Sequence, residues 1–104
     1  MKNLRMKDMT LKEKAIEILK NIQDPEIGLD LWTLGLIYDV TTDEELETVK
    51  IVMTFTTPFC PFGPQMIGEI KAAMFASGFR SAEIEVTFDP PWEPNAELRE
   101  LLGV

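Results

Sequence analysis

Histidine is absent from this 104-residue chain, and cysteine occurs once, as Cys60. The missing histidine excludes a Cys-His dyad, a Ser-His-Asp triad and histidine-ligated zinc built within the chain. A single cysteine excludes an internal disulfide and suits a reducing, cytoplasmic location. No run of about 18 apolar residues occurs, so a membrane span is not expected. The basic N-terminus has no apolar block behind it and does not read as a secretory signal. Any chemistry has to come from one thiol, carboxylates, hydroxyls and the backbone.

What is present describes one globular domain. Hydrophobic residues make up 45% of the chain and charged residues 27%, an ordinary composition for a packed core. Formal net charge is −8, unevenly spread. Residues 1–20 hold six basic and three acidic side chains, and the remainder holds four basic and fifteen acidic ones. A body of that sign repels phosphate backbones, which argues against nucleic acid as a partner. Metal ions and basic protein surfaces stay open to it.

Residues 1–9 carry no period and are expected to form a mobile arm ahead of a single domain over 10–104. Thr10-Leu11-Lys12-Glu13 matches a capping box. Leu11, Ala15, Ile18 and Ile22 follow at helical spacing, predicting a helix over 11–22 that ends ahead of Pro25. From Leu36 the period becomes two, with Leu36, Tyr38 and Val40 on one side. Val49, Ile51, Met53 and Phe55 alternate again after the Asp43-Glu44-Glu45 link, so 36–55 predicts a hairpin. A second helix is expected at about 62–77, closed by Gly78. Ala82, Ile84, Val86 and Phe88 make a third strand with one acidic face. Asn95 caps a short last helix carrying Leu98, Leu101 and Leu102. The order α-β-β-α-β-α predicts a two-layer α+β domain, a small three-stranded mixed sheet covered by helices. Met53, Met66, Met74, Phe55, Phe75 and Phe88 are assigned to its core.

Cys60 is the sharpest chemical feature. It follows a strand and directly precedes a helix whose first turn is marked by Pro61 and Pro64. Free backbone N–H groups and the positive end of the helix dipole stabilise a thiolate there, the reactive and metal-binding form. The alternative is a small buried hydrophobe. Thr56 and Thr57 can offer hydroxyls to that thiolate or a ligand, or can simply end the strand. Asp24 and Glu26 bracket Pro25, so one rigid turn carries two carboxylates; either they meet a metal or basic partner, or Asp24 caps the first helix. Trp92, within Pro90-Pro91-Trp92-Glu93-Pro94, reads as a packed lid or a polyproline-type docking surface.

Four segments carry a resemblance in order and spacing: Asp24-Pro25-Glu26-Ile27, Leu34 to Val40, Met53 to Pro61, and Phe88-Asp89-Pro90-Pro91-Trp92. Over about residues 11–103 the chain resembles the SufT/PaaD-like metal–sulfur cluster biosynthetic family. The resemblance implies an accessory role in iron–sulfur cluster assembly or delivery, without tight cofactor binding. It places the family's reactive cysteine on Cys60, its acidic turn on Asp24 and Glu26, and its Thr-Pro element on Thr57 and Pro58. Thr33 and Glu93 depart from the family's usual acid before Leu-Gly-Leu and its Thr-Pro after Pro-Pro-Trp.

One thiol cannot supply the four thiolates that iron–sulfur clusters usually take. Either two chains share a cluster, as in a homodimer, or Cys60 binds a cluster or iron transiently, or it only engages a protein. Expected partners are iron–sulfur assembly proteins and client apo-proteins. Rival functions are a thiol-dependent transferase, which lacks an evident base, and an interaction component of a PaaD-like oxygenase system.

Overall fold

The computed structural model describes residues 10–25, 27–56 and 63–103. The expected arm at 1–9 and the predicted site residues Glu26, Thr57, Pro58 and Cys60 lie outside them. Helix α1 spans Leu11–Leu19, strand β1 Ile37–Asp43, β2 Thr48–Met53, helix α2 Gly63–Ala76, strand β3 Ser81–Val86 and helix α3 Ala96–Leu102.

Helix α1 starts where its capping box requires. The Thr10 hydroxyl accepts from the Glu13 amide at 3.1 Å, and Glu13 Oε1 accepts from the Thr10 amide at 3.3 Å. The helix ends at Leu19, with Lys20 as C-cap, and not at 22 as the periodicity predicts. Ile22 keeps its place in the core, but its carbonyl accepts from Leu31 (2.9 Å) and Gln23 bridges Asp30. Those long-range bonds replace a last helical turn.

The sheet order is β1-β2-β3, antiparallel between β1 and β2 and parallel between β2 and β3. Mixed pairing follows from the connections: four residues join β1 to β2, and α2 carries the chain from β2 to β3. A register shift between Ile37 and Asp39 breaks the strict alternation read from the sequence. Asp43 shapes the hairpin turn by accepting from the amides of Glu45 and Leu46, both at 3.0 Å.

One sheet face presents Val49, Ile51, Met53 and Ala82 to α1 and α2, which contribute Ala15, Leu19, Met66, Ile70 and Met74. Burying each large aliphatic side chain stabilises the domain by about 1.5–3 kcal/mol before entropy is counted. The opposite face is polar. There Lys50 sits 3.9 Å from Glu83 and 3.8 Å from Glu85, exposed pairs worth at most about 1 kcal/mol each.

Two core assignments change, and one leucine of the last helix lies open to solvent. Phe75 is 51% exposed, Phe88 40% and Leu101 71%. Phe75 stands on the side of α2 away from the sheet, Phe88 lies past the end of β3, and α3 buries Leu98 but not Leu101. Helix α2 otherwise follows its prediction within a residue at each end, and Gly78 adopts φ 102° just after it. Phe79 then donates its amide to Met74 at 3.1 Å, closing the helix end.

Candidate functional site

Parallel strands β2 and β3 both end at one edge of the sheet, and in open sheets with helical crossovers ligands bind beyond such carboxyl ends. Three segments converge there: the exit of β2, the start of α2 and the strap after β3.

At the exit of β2, Thr54 is fully buried, its amide donates to Leu36 at 2.8 Å and its hydroxyl to the Phe55 carbonyl at 3.4 Å. Phe55 is buried next to it, and Thr56 is half-buried. The Phe55 ring lies against the first residue of α2. A Cβ added at Gly63 would meet ring carbons at 3.1 and 3.2 Å, so only glycine admits this approach without displacement. The sequence marks Gly63 merely as helix punctuation between prolines; its packing role against Phe55 is found only in the structure.

The strap over 87–95 is tied across the same edge. The Thr87 amide donates to Met53 at 2.9 Å, and the Asp89 amide to the Thr87 hydroxyl at 3.2 Å. Tyr38 donates its hydroxyl to the Pro90 carbonyl at 2.7 Å, and Trp92 Nε1 donates to the Leu34 carbonyl at 2.6 Å. The Phe55 and Phe88 rings stand 6.4 Å apart at 50°, within the range of favourable aromatic pairs. Trp92 is half-buried against the core, which favours the packed-lid reading over a free docking surface. The sequence alternation sets Tyr38 beside Leu36 and Val40 and carries no signal for this bond; Tyr38 falls at the register shift between Ile37 and Asp39.

Asp24 is 3% exposed. Its Oδ1 accepts from the Ile27 amide at 3.1 Å, its own amide donates to Leu29 at 2.9 Å and its carbonyl accepts from Gly28 at 2.8 Å. Gly28 closes the turn at φ 79°. One carboxylate oxygen is therefore engaged in shaping the turn, as in an Asx-turn. Backbone bonds link this turn to the site edge: Leu31 donates to Ile22, Leu36 to Leu31 and Thr54 to Leu36. The structure thus connects two predicted elements, the Asp24 turn and the Thr56 strand exit, through a short chain of bonds. Among the described residues, no three or more Cys, Asp or Glu side chains are grouped as a metal-holding cluster. No helix among them is long and apolar enough to cross a membrane.

The family model described as iron–sulfur cluster assembly protein matches residues 12–86. This chain belongs to that family. The match runs from α1 to the last residue of β3, so it includes the acidic turn, the β2 exit and the segment with Cys60. The strap and α3 lie beyond it. Two curated relatives of this assembly domain are bacterial. The Bacillus subtilis Fe-S protein maturation auxiliary factor YitW is 39% identical over 79% of this chain and 80% of its own length. The Staphylococcus aureus auxiliary factor SufT is 37% identical over 66% and 78%. Among solved structures, the conserved hypothetical protein TM0487 of Thermotoga maritima superimposes with a TM-score of 0.77 at 42% identity. That likeness covers 92% of this chain and all of the other, so it extends through the strap and confirms the mixed three-stranded fold.

Proposed function

We propose that this assembly-family domain is an accessory factor in iron–sulfur protein maturation, assisting cluster assembly or delivery with the cluster as cargo. The observation that carries the proposal is family membership over 12–86, joined to relatives named as maturation auxiliary factors. In this reading Cys60 is the working group and acts by ligand exchange. Its thiolate bonds one iron of the cargo, a thiolate of the client displaces it, and the released thiolate takes up a proton. No net oxidation is involved. Chain connectivity supports a place at the strap-covered edge, because three residues from Gly63 span at most about 11 Å. Thr56, Thr57 and Pro58 precede Cys60 in sequence, and the two threonine hydroxyls can hydrogen-bond its thiolate or the incoming cargo. Asp24 holds the acidic turn in shape, leaving Glu26 to meet a basic surface on an assembly protein or client apo-protein. The role is that of a carrier or helper and not of a catalyst, and it is exercised in the cytoplasm.

The direct test uses a client apo-enzyme, an anaerobic cluster donor and the full chain. Faster recovery of client activity with the chain than without it is expected. Equal recovery in both would contradict an assembly or delivery role.

A further inference from the structure

Helix α2 has Gln65, Glu69 and Lys71 as its only polar side chains, and the described residues cover one side of it. Gly63, Met66, Ile70 and Met74 are buried, whereas Pro64, Gly68, Ala72 and Phe75 are exposed. At 3.6 residues per turn those four exposed positions share one strip pointing away from the sheet. The strip carries no charge, Phe75 is 51% exposed on it, and a Cβ placed on Gly68 would meet nothing within 4 Å. An uncharged strip that holds a phenylalanine and is left open by the described residues is a surface a partner can cover.

We propose that the cover is α2 of a second copy of this chain, packed in parallel. Charge sets the direction. Lys71 and Glu69 flank the strip on opposite sides, both exposed. When two such helices face each other in parallel about a two-fold axis, opposite flanks meet, and Lys71 of each copy faces Glu69 of the other. An antiparallel pair brings like flanks together and sets Lys71 near Lys71. Small residues at Gly68 and Ala72 allow close interaxial approach, near the short end of the usual 8–10 Å, and the two Phe75 rings meet one helical turn further on. Four strip residues and two flanking charges are far fewer than the roughly 20–30 residues a side of a standard stable interface, so the dimer is weak and concentration-dependent.

Parallel pairing sets both α2 starts at one end, with Cys60 three residues upstream in each copy. Two thiolates are then available to one cargo cluster. That consequence rests on the proposed role of Cys60; the pairing itself does not.

Equilibrium sedimentation of the full chain, from micromolar to near-millimolar concentration, tests the pairing by mass alone. The unaltered chain is expected to dimerise reversibly. Phe75→Glu and Gly68→Glu are each expected to leave only monomer, with circular dichroism and melting confirming the fold. Lys71→Glu should weaken association about tenfold, the scale of two lost exposed ion pairs with repulsion added, and Glu69→Lys in the same chain should restore it. In a Cys60→Ser background, Gly68→Cys should form a disulfide-linked dimer on mild oxidation. A chain that stays monomeric throughout, or a dimer insensitive to Phe75→Glu, overturns the proposal. Monomer combined with loss of client binding in Phe75→Glu assigns the strip to a client instead. Failure of Gly68→Cys to cross-link overturns the parallel arrangement.

Discussion

Trp92 and Leu34 are 58 residues apart in sequence, and the Trp92 indole N–H donates to the Leu34 carbonyl at 2.6 Å. This bond fastens the strap after β3 to the segment that leads into β1. Gly35, at φ 75°, lies directly beneath it, with Trp92 Nε1 3.9 Å from where a Cβ would stand. The site edge is thus held from the strap side by a bond outside the sheet ladder.

Trp92→Phe removes the donor to the carbonyl of buried Leu34. A loss of about 1–3 kcal/mol is expected, which in a domain of this size lowers the melting temperature by several degrees. Thermal unfolding of the two proteins in the same buffer measures it. An unchanged melt would mean that the strap is not fastened by this bond.

Gly63→Ala forces a methyl group against the Phe55 ring. Overpacking of this kind costs about 1–3 kcal/mol. Phe55→Leu in the same chain should recover part of the loss, because the leucine leaves room, and a double-mutant cycle from urea denaturation reads the coupling. Strictly additive losses would show that the contact does not constrain the start of α2.

Much of the architecture was legible because local signals agreed with long-range demands. The Thr10–Glu13 box, the β2 alternation, Gly78 and Asn95 each act within a few residues. The early end of α1 was not legible, since Ile22 continues the helical spacing and only its bond to Leu31 pulls it out of the helix. Phe75 and Phe88 look like core in the sequence because hydrophobicity does not say which side of an element finds a partner. At the site, the cysteine segment and the acidic turn are visible in the residues themselves. The Tyr38–Pro90 and Trp92–Leu34 bonds are not, because they join positions more than 50 residues apart.

A cysteine three residues ahead of a helix in sequence is expected to ionise more readily than a free cysteine thiol if its thiol meets the helix start. The alkylation rate of Cys60 with iodoacetamide, followed against pH in the full chain, should reach half its maximum below the midpoint of a short unstructured cysteine peptide. A midpoint equal to or above that of the peptide would remove the electrostatic basis for Cys60 as a ready ligand.

Replacing Cys60 by serine tests the central claim most directly, since it exchanges sulfur for oxygen at nearly constant shape. The measurement is the activity of an iron–sulfur enzyme in cells that lack the native protein and express either the original chain or Cys60→Ser, alongside the melt of each purified protein. The account predicts that the original chain restores the enzyme, that the serine variant does not, and that the two melts agree within about 0.5 kcal/mol of stability. Full restoration by Cys60→Ser with an unchanged melt would contradict it.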